Sequence, residues 1–285
     1  MSRLVLIIAI AAIFLFAAGI VVADRVETDT RTVDAEGAEV IDLECDFAVG
    51  SIYIQSADID NAAEIEITYS PRYVDYDIGY RRRGRTGVLT LESDFLRRNI
   101  RDDFENEWQV ELSTEYEFDI DMEIGACEVE IDLGGLAVRS LDLELGASSG
   151  LIDFSKPTKT RVEEISISVG ASSMEIANLG NASFDRLTFE GGAASCDLDF
   201  RGGFSGEGEV ELEVGLGSCD IIVPRDLAIR VETDDDAWFS SVDFHGLRLD
   251  EVDDGIYETE DFDDADDRII FVVEVGMGSV DFRGK

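Results

Sequence analysis

One short phrase recurs along the chain and limits what the chain can fold into. It consists of an apolar–acidic–apolar stretch, a step of glycine and other small residues, and a second apolar–x–apolar stretch. The copies occupy residues 122–133, 143–154, 167–176, 189–200, 212–223 and 273–282, with a weaker copy at 46–54. Apolar residues at every second position indicate strands with one buried face. Each copy therefore predicts a strand, a tight corner and a second strand.

The spacing of the copies favours a β-solenoid. Successive corner glycines lie 21 to 24 residues apart, except for a gap of 61 residues before the last one. The glycines are Gly125, Gly146, Gly170, Gly192, Gly215 and Gly276. A period slightly above 20 residues is typical of a solenoid coil, which buries its apolar side against its neighbours. The sequence thus predicts an all-β fold, a single-stranded parallel β-helix of 21–24-residue coils, preceded by one N-terminal transmembrane or signal helix.

Equivalent positions of successive coils should stack into columns. The inward pairs are Val129/Ile131, Gly150/Ile152, Met174/Ile176, Cys196/Leu198, Cys219/Ile221 and Val280/Phe282. The outward positions between them are Glu130, Leu151, Glu175, Asp197, Asp220 and Asp281. A second outward column, two residues before each corner, contains Glu123, Glu144, Ser168, Glu190, Glu213 and Glu274. Because stacked strands lie about 4.8 Å apart, the carboxylates should form like-charged columns.

These acidic columns have two interpretations. One is a solvated acidic face that salt keeps tolerable; the other is a surface that binds cations or a partner. Like charges directly opposite one another on neighbouring strands are destabilising. The columns therefore predict a stability that rises with ionic strength.

The overall charge narrows the range of partners. The chain of 285 residues has a formal net charge of −41. Phosphate binding requires clustered Lys and Arg, so nucleic acid is not an expected partner. An excess of acid with few lysines is typical of a high-salt habitat or of a strongly acidic envelope protein.

The sequence lacks the motifs of an enzyme. It contains no GxSxG, P-loop or HExxH motif, and its one histidine is His245. No helix is expected after the glycine corners, so they do not resemble a phosphate cradle. The spacing of the four cysteines does not fit a zinc site. We expect a non-enzymatic protein without a cofactor.

Two of the cysteines should be neighbours. Cys196 and Cys219 occupy equivalent positions in consecutive coils. Side chains stacked in this way point in the same direction, which suits a disulfide badly. They are therefore expected to be free thiols that act as small buried hydrophobic residues.

The N-terminus, residues 1–23, predicts export. Residues 4–22 are uncharged and apolar, and Arg3 precedes them. This length can span a bilayer, and the positive charge before it favours a cytoplasmic N-terminus with the domain outside. Val21-Val22-Ala23 also resembles a signal-peptidase site. A transmembrane anchor and a cleaved signal both remain open, and both place the folded part at the cell membrane or beyond, outside the cytoplasm.

Residues 24–120 should form an N-terminal β region with a basic and aromatic insertion. Arginines cluster within it at Arg81, Arg82, Arg83, Arg85, Arg97 and Arg98. One interpretation is a hairpin whose arginines pair with the protein's own acidic surface. The other is a docking site for anionic lipid headgroups, cell-wall polymer or a partner protein, since guanidinium binds carboxylate or phosphate bidentately.

Residues 121–285 should form the repeat domain, with an acidic insertion at 225–267. Aromatic residues within the insertion suggest that part of it packs on the edge of the solenoid. Its acidic residues do not match an EF-hand loop. A loose site that binds Ca²⁺ or Mg²⁺ weakly is the alternative to a solvated acidic loop. The last copy, Ile269–Phe282, is expected to close the stack.

Segments 124–148, 169–184 and 214–231 carry a family resemblance. Their glycine corners, with LGNASF and VGLGS followed by VP, resemble the toast-rack domains of LiaF-like cell-wall-active-antibiotic response proteins, and related adhesin-like domains share the rhythm. The resemblance implies a β-solenoid-like domain in the bacterial envelope, linked in some members to an envelope-stress sensor kinase. It implies no catalytic residues.

Together these features predict an extracytoplasmic interaction or regulatory module of a cell-envelope stress response. Its partners would be the membrane, through the N-terminal helix, and a sensor kinase or another membrane protein. The alternative is a secreted or surface adhesin that binds a polymer. A cation-dependent scaffold is a third interpretation.

Overall fold

The computed structural model describes residues 26–96, 104–233 and 240–285. Within these ranges the regular structure is β-strand, apart from one 3-10 turn at Leu179–Asn181. The strands are β1 (Glu27–Val33), β2 (Val40–Ala57), β3 (Ala63–Tyr69), β4 (Val74–Arg83), β5 (Thr86–Phe95), β6 (Asn106–Ser113), β7 (Glu117–Asp132), β8 (Ala137–Leu145), β9 (Ser149–Asp153), β10 (Glu164–Val169), β11 (Ser173–Ala177), β12 (Arg186–Asp199), β13 (Glu207–Val223), β14 (Ala228–Thr233), β15 (Ser240–His245), β16 (Asp250–Asp253), β17 (Ile256–Glu258) and β18 (Arg268–Gly284).

The helix predicted within residues 1–23 lies outside the described residues. Among the residues that the structure does describe, no helix has the length and apolar character needed to cross a membrane.

Each regular coil contains a strand segment on either side of the glycine corner. β2, β7, β12, β13 and β18 pass through the corner as continuous strands, whereas the corner separates β8 from β9 and β10 from β11. Segments before the corner pair in parallel with one another, and so do segments after it. The inward side chains of both segments join one apolar core. The predicted strand–corner–strand unit is confirmed.

The inward columns form with the predicted register. Val129 aligns with Gly150, and the column continues through Met174 and Cys196 to Cys219 and Val280. The side chains of this column are buried, and the parallel column that begins at Ile131 is buried as well. Ile52 and Ile54 of the weak copy extend the two columns toward the N-terminal side.

The corner glycines are required by the close approach of neighbouring coils. A Cβ atom on Gly146 would lie 2.8 Å from the carbonyl oxygen of Gly125 in the adjacent coil. A Cβ on Gly276 would lie 2.7 Å from the carbonyl oxygen of Gly215. Any side chain at these positions would push the coils apart, so the steric reason for small corner residues is confirmed.

The order of the coils along the stack differs from their order in the chain. β5 and β6 form a coil that pairs with the outer edge of β2, while β7 pairs with the opposite edge of β2. The stack therefore runs β5/β6, β2, β7, β8/β9, β10/β11, β12, β13, β18 and β14/β15. The domain boundary expected at residue 120 falls within β7, which is part of this continuous stack.

The prediction that the last copy closes the stack is wrong. β18 lies between β13 and β14 before the corner, and between β13 and β15 after it. Part of the insertion at 225–267 therefore supplies a further coil outside β18, with Ile229 and Val231 buried. Periodicity identifies which segments are coils but carries no information on the order in which distant segments stack.

Both ends of the stack are capped by antiparallel strands. At one end, called the head end, β4 pairs with β5, β3 pairs with β6, and β1 pairs with β3. At the other, called the tail end, β17 pairs with β14 and β16 pairs with β17. Aromatic side chains close the core at the head end, where Tyr76 packs edge-on against buried Trp108, with ring centroids 5.8 Å apart.

Candidate functional site

The column of residues that precedes the corners lines a long acidic groove. The strand register places Glu190 beside Glu213 and Glu213 beside Glu274. The groove has a volume of about 750 Å³. Its polar wall consists of Asp46, Glu123, Glu144, Ser168, Glu190 and Glu213, and its other side contains the corner glycines Gly125, Gly146, Gly170, Gly192 and Gly215.

The charges of this groove are not compensated locally. All of its carboxylate side chains are exposed, and among the described residues no arginine or lysine forms an ion pair with them. Ser168 is the one uncharged member of the polar wall. The groove therefore presents a line of negative charge with a repeat of about 4.8 Å, set by the distance between strands.

The second acidic column also has the predicted register. Glu130, Leu151, Glu175, Asp197, Asp220 and Asp281 lie side by side in that order. Asp243 of β15 continues the column at the tail end. Leu151 interrupts the charge, and Arg283 binds Asp220 at 2.7 Å. This column is thus more nearly neutralised than the groove.

A third acidic surface was missed by the sequence analysis. Asp42, Asp119, Asp121, Asp142 and Glu164 line a depression of about 390 Å³ on the outer side of the strands before the corner. Burial raises the pKa values of Asp42 and Asp121 above the usual range, and neighbouring carboxylates raise them further. Acidic residues at alternate positions of β2, β7 and β8 before the corner were the available signal.

None of these surfaces is arranged as a metal site. In the described ranges, no group of three or more His, Cys, Asp and Glu side chains could hold a metal ion. Carboxylates one strand apart on a ladder extend along a line and do not converge on a point. The cation-binding interpretation of the columns remains a prediction.

The basic segment forms the β4–β5 hairpin at the head end. Arg81 lies 3.7 Å from Glu44, and Arg85 forms an ion pair with Glu39. The Arg82 guanidinium donates hydrogen bonds to the carbonyl oxygens of Glu36 and Gly84, at 2.6 and 2.7 Å.

Arg83 is exposed, and within the described residues it forms no ion pair. The structure thus brings Arg81, Arg82, Arg83 and Arg85 together at one hairpin tip. Arg97 and Arg98, predicted as part of the same surface, lie outside the described residues.

The chain matches one protein family. The family is described as the N-terminal domain of toast_rack, DUF2154, and the match covers residues 22–177, more than half of the chain. This protein belongs to the toast-rack family. The match includes the basic hairpin and the strands before it, which lie outside the segments that carried the resemblance in the sequence. No curated protein matches this toast-rack chain.

Several solved structures align with this toast-rack protein at low sequence identity. A "putative cell adhesion protein" from Clostridium sporogenes ATCC 15579 aligns with a TM-score of 0.49 and 17% identity, covering 92% of this chain and 100% of the other. A "putative adhesin" from Bacteroides fragilis NCTC 9343 aligns with a TM-score of 0.36 and 13% identity, covering 91% of this chain and 98% of the other. A "putative adhesin" from Parabacteroides merdae ATCC 43184 aligns with a TM-score of 0.37 and 16% identity, covering 92% of this chain and 98% of the other.

The prediction that Cys196 and Cys219 of this toast-rack protein are free thiols is wrong. Cys196 and Cys219 form a disulfide between the adjacent strands β12 and β13. Their Cα atoms are 4.6 Å apart, which lies within the range that a disulfide spans. The bridge joins two residues that are directly paired in the parallel register of these strands.

The remaining thiols and the histidine offer little chemistry. Cys45 and Cys127 are free and buried. Burial raises the pKa of Cys127 to about 12 and raises that of Cys45 as well, so both stay protonated and unreactive near neutral pH. His245 is exposed, and its Nε2 lies 3.2 Å from Asp281 in the second acidic column.

Proposed function

We propose that this toast-rack protein is a non-enzymatic interaction module of the cell envelope, anchored in the membrane with its solenoid outside the cytoplasm. The observation that carries this proposal is the Cys196–Cys219 disulfide in the core of the stack. Disulfides persist in oxidising compartments and are rare in the cytoplasm. The apolar run at residues 4–22 supplies a means of export and, if it is retained, an anchor.

The surface chemistry supports binding rather than catalysis. The exposed carboxylates lie in extended columns, and the two free thiols are buried and protonated. A general base would have to come from His245 or a carboxylate. His245 lies beside the carboxylate of Asp281 rather than beside a nucleophile. The long uncompensated groove is suited to a partner that carries positive charge along its length.

The more specific role proposed is regulation of an envelope stress response, as in LiaF-like proteins, through a sensor kinase or another membrane protein. The second candidate is a secreted or surface adhesin. The observation that favours it is the small residues of Val21-Val22-Ala23, which would permit cleavage and release of the domain.

In-cell crosslinking with membrane fractionation tests these proposals. Mass spectrometry of the recovered protein identifies its N-terminus and its crosslinked partners. Alkylation of the denatured protein without prior reduction should leave Cys196 and Cys219 unmodified, and alkylation of the denatured protein after reduction should label both. An intact N-terminus in the membrane fraction, crosslinked to a kinase, would support the regulatory module. A soluble chain that begins at Asp24 and is attached to wall material would favour the adhesin, and a reduced Cys196–Cys219 pair in cells would contradict export.

A further inference from the structure

We propose that the head end of the solenoid docks on anionic lipid headgroups, so that the stack stands upright on the membrane with its acidic tail end away from the bilayer. The occupant is the phosphate-bearing surface of the membrane in which the chain is anchored. This inference rests on the proposed function, because it requires residues 4–22 to remain in the bilayer.

The chain enters the fold at the head end. β1 begins at Glu27 and is the outermost strand there, since it pairs with β3. Residues 23–26 separate β1 from the apolar run, and four residues span at most about 14 Å. The tail end lies beyond nine stacked coils, roughly 40 Å away at the usual strand spacing. The head end is therefore the part of the solenoid closest to the membrane.

The same end carries the clustered arginines of the hairpin tip. Arg82 and Arg83 are exposed, and in the described part of the chain neither forms an ion pair with a carboxylate. Arg81 and Arg85 are exposed as well, and each forms an ion pair, Arg81 with Glu44 and Arg85 with Glu39. The tip thus groups four guanidinium groups, with Glu36, Glu39 and Glu44 nearby, on a chain whose formal net charge is −41. Guanidinium groups bind phosphate oxygens through paired hydrogen bonds.

The tip is joined to the strand that leads to the membrane. Arg82 donates to the carbonyl oxygen of Glu36, and the Tyr80 hydroxyl donates to that of Ala35 at 2.6 Å. Both carbonyls belong to the turn that directly follows β1. The hairpin tip and β1 therefore lie on one surface, with the tip near the end of β1 that is farther from the apolar run.

Electrostatics favours the upright orientation over a solenoid lying on its side. The sides of the stack carry the acidic groove and columns, which an anionic surface repels. The tail end presents Asp250, Glu251 and Asp253 on its edge strand. Only the upright orientation places the arginine tip near the lipid phosphates and the columns beyond the screening distance of about 8 Å at physiological salt.

Hydrogen exchange of the full chain in nanodiscs tests this inference. The chain is inserted into nanodiscs of phosphatidylcholine alone or with one third phosphatidylglycerol, and exchange is measured for the amides of residues 82–86. We expect exchange to be slower in the anionic discs by about fivefold for each arginine that contacts the surface. The double variant R82Q/R83Q should lose this slowing. R139Q/R186Q, which removes the same charge from the middle of the stack, should retain it.

Three results would overturn the inference. Equal exchange in neutral and anionic discs would show that lipid charge has no effect on the tip. Slowing that appears in neutral discs and grows with protein concentration would indicate that a second copy covers the tip. Failure of the intact chain to enter nanodiscs would remove the anchor, and with it the proposed membrane module itself, whereas the first two results would leave that function intact.

Discussion

Removal of one charge from the acidic groove should stabilise the fold by an amount that depends on its neighbours. Glu213 lies between two carboxylates, those of Glu190 and Glu274. Glu190 lies between Glu213 and the uncharged Ser168. A Glu→Gln substitution keeps the shape of the side chain and removes its charge. E213Q therefore eliminates two repulsive pairs, and E190Q eliminates one.

The magnitude follows from the strand spacing. Two unit charges about 4.8 Å apart repel each other by about 0.9 kcal/mol in water. Screening reduces this to about 0.5 kcal/mol at 0.15 M salt and to about 0.2 kcal/mol at 1 M. E213Q should raise the free energy of unfolding by about 1 kcal/mol at 0.15 M and E190Q by about 0.5 kcal/mol. Both gains should largely disappear at 1 M.

Urea denaturation followed by far-ultraviolet circular dichroism, at both salt concentrations, measures these differences. The converse substitution, S168E, places a carboxylate between Glu144 and Glu190 and should lower the free energy of unfolding by about 1 kcal/mol at 0.15 M. Equal effects of E213Q and E190Q, or a gain that is undiminished in 1 M salt, would refute the argument from like-charged neighbours.

Three further predictions concern the corners, the disulfide and pH. G276A should destabilise the fold by about 2 kcal/mol, because its Cβ would lie 2.7 Å from a backbone oxygen, whereas G203A, with no atom within 4 Å of its Cβ, should be near neutral in thermal denaturation. Reduction of the Cys196–Cys219 disulfide, which closes a loop of 23 residues, should lower the free energy of unfolding by about 3 kcal/mol, measured by urea titration with and without reductant. D42N should be more stable than the wild type at pH 7, since the raised pKa of Asp42 means that folding disfavours its charged form. This advantage should shrink as the pH falls through the raised folded pKa to the unfolded value of about 3.9, and a constant advantage across a pH series of melts would contradict it.

The repeat made the local register predictable. A side-chain period of two residues on either side of a fixed corner determines which residues face the core, and a coil length near 22 residues determines which residues are stacked. The alignment of Val129 with Gly150 and of Asp220 with Asp281 follows from counting along the chain. The acidic groove followed in the same way, because the residue two positions before the corner is acidic in each regular copy except the one with Ser168.

The order of the coils was not predictable in this way. β18 fits between β13 and β14 although residues 225–267 separate it from β13 in the chain. A periodic pattern is satisfied equally well by either order, because each coil offers the same apolar edges to its neighbours. The disulfide was missed for a different reason. Its formation depends on side-chain rotation, and the parallel backbone directions alone gave the wrong expectation.

The ends of the stack explain how a repeated sequence can give a finite molecule. Identical coils could in principle add further strands without limit, so the outermost strands must resist pairing. At the head end, β1 places Asp29 and Arg31 beside the buried Ile67 and Ile65, where a further coil would require apolar residues.

Arg31 holds Asp29 through two hydrogen bonds of 2.8 Å, and the Tyr76 hydroxyl donates to the same carboxylate. The Tyr76 hydrogen bond is the largest cause of the lowered pKa of Asp29, so this charge persists well below neutral pH. At the tail end, the edge strand β16 carries Asp250, Glu251 and Asp253. Both ends thus have charged edges that oppose the addition of another strand.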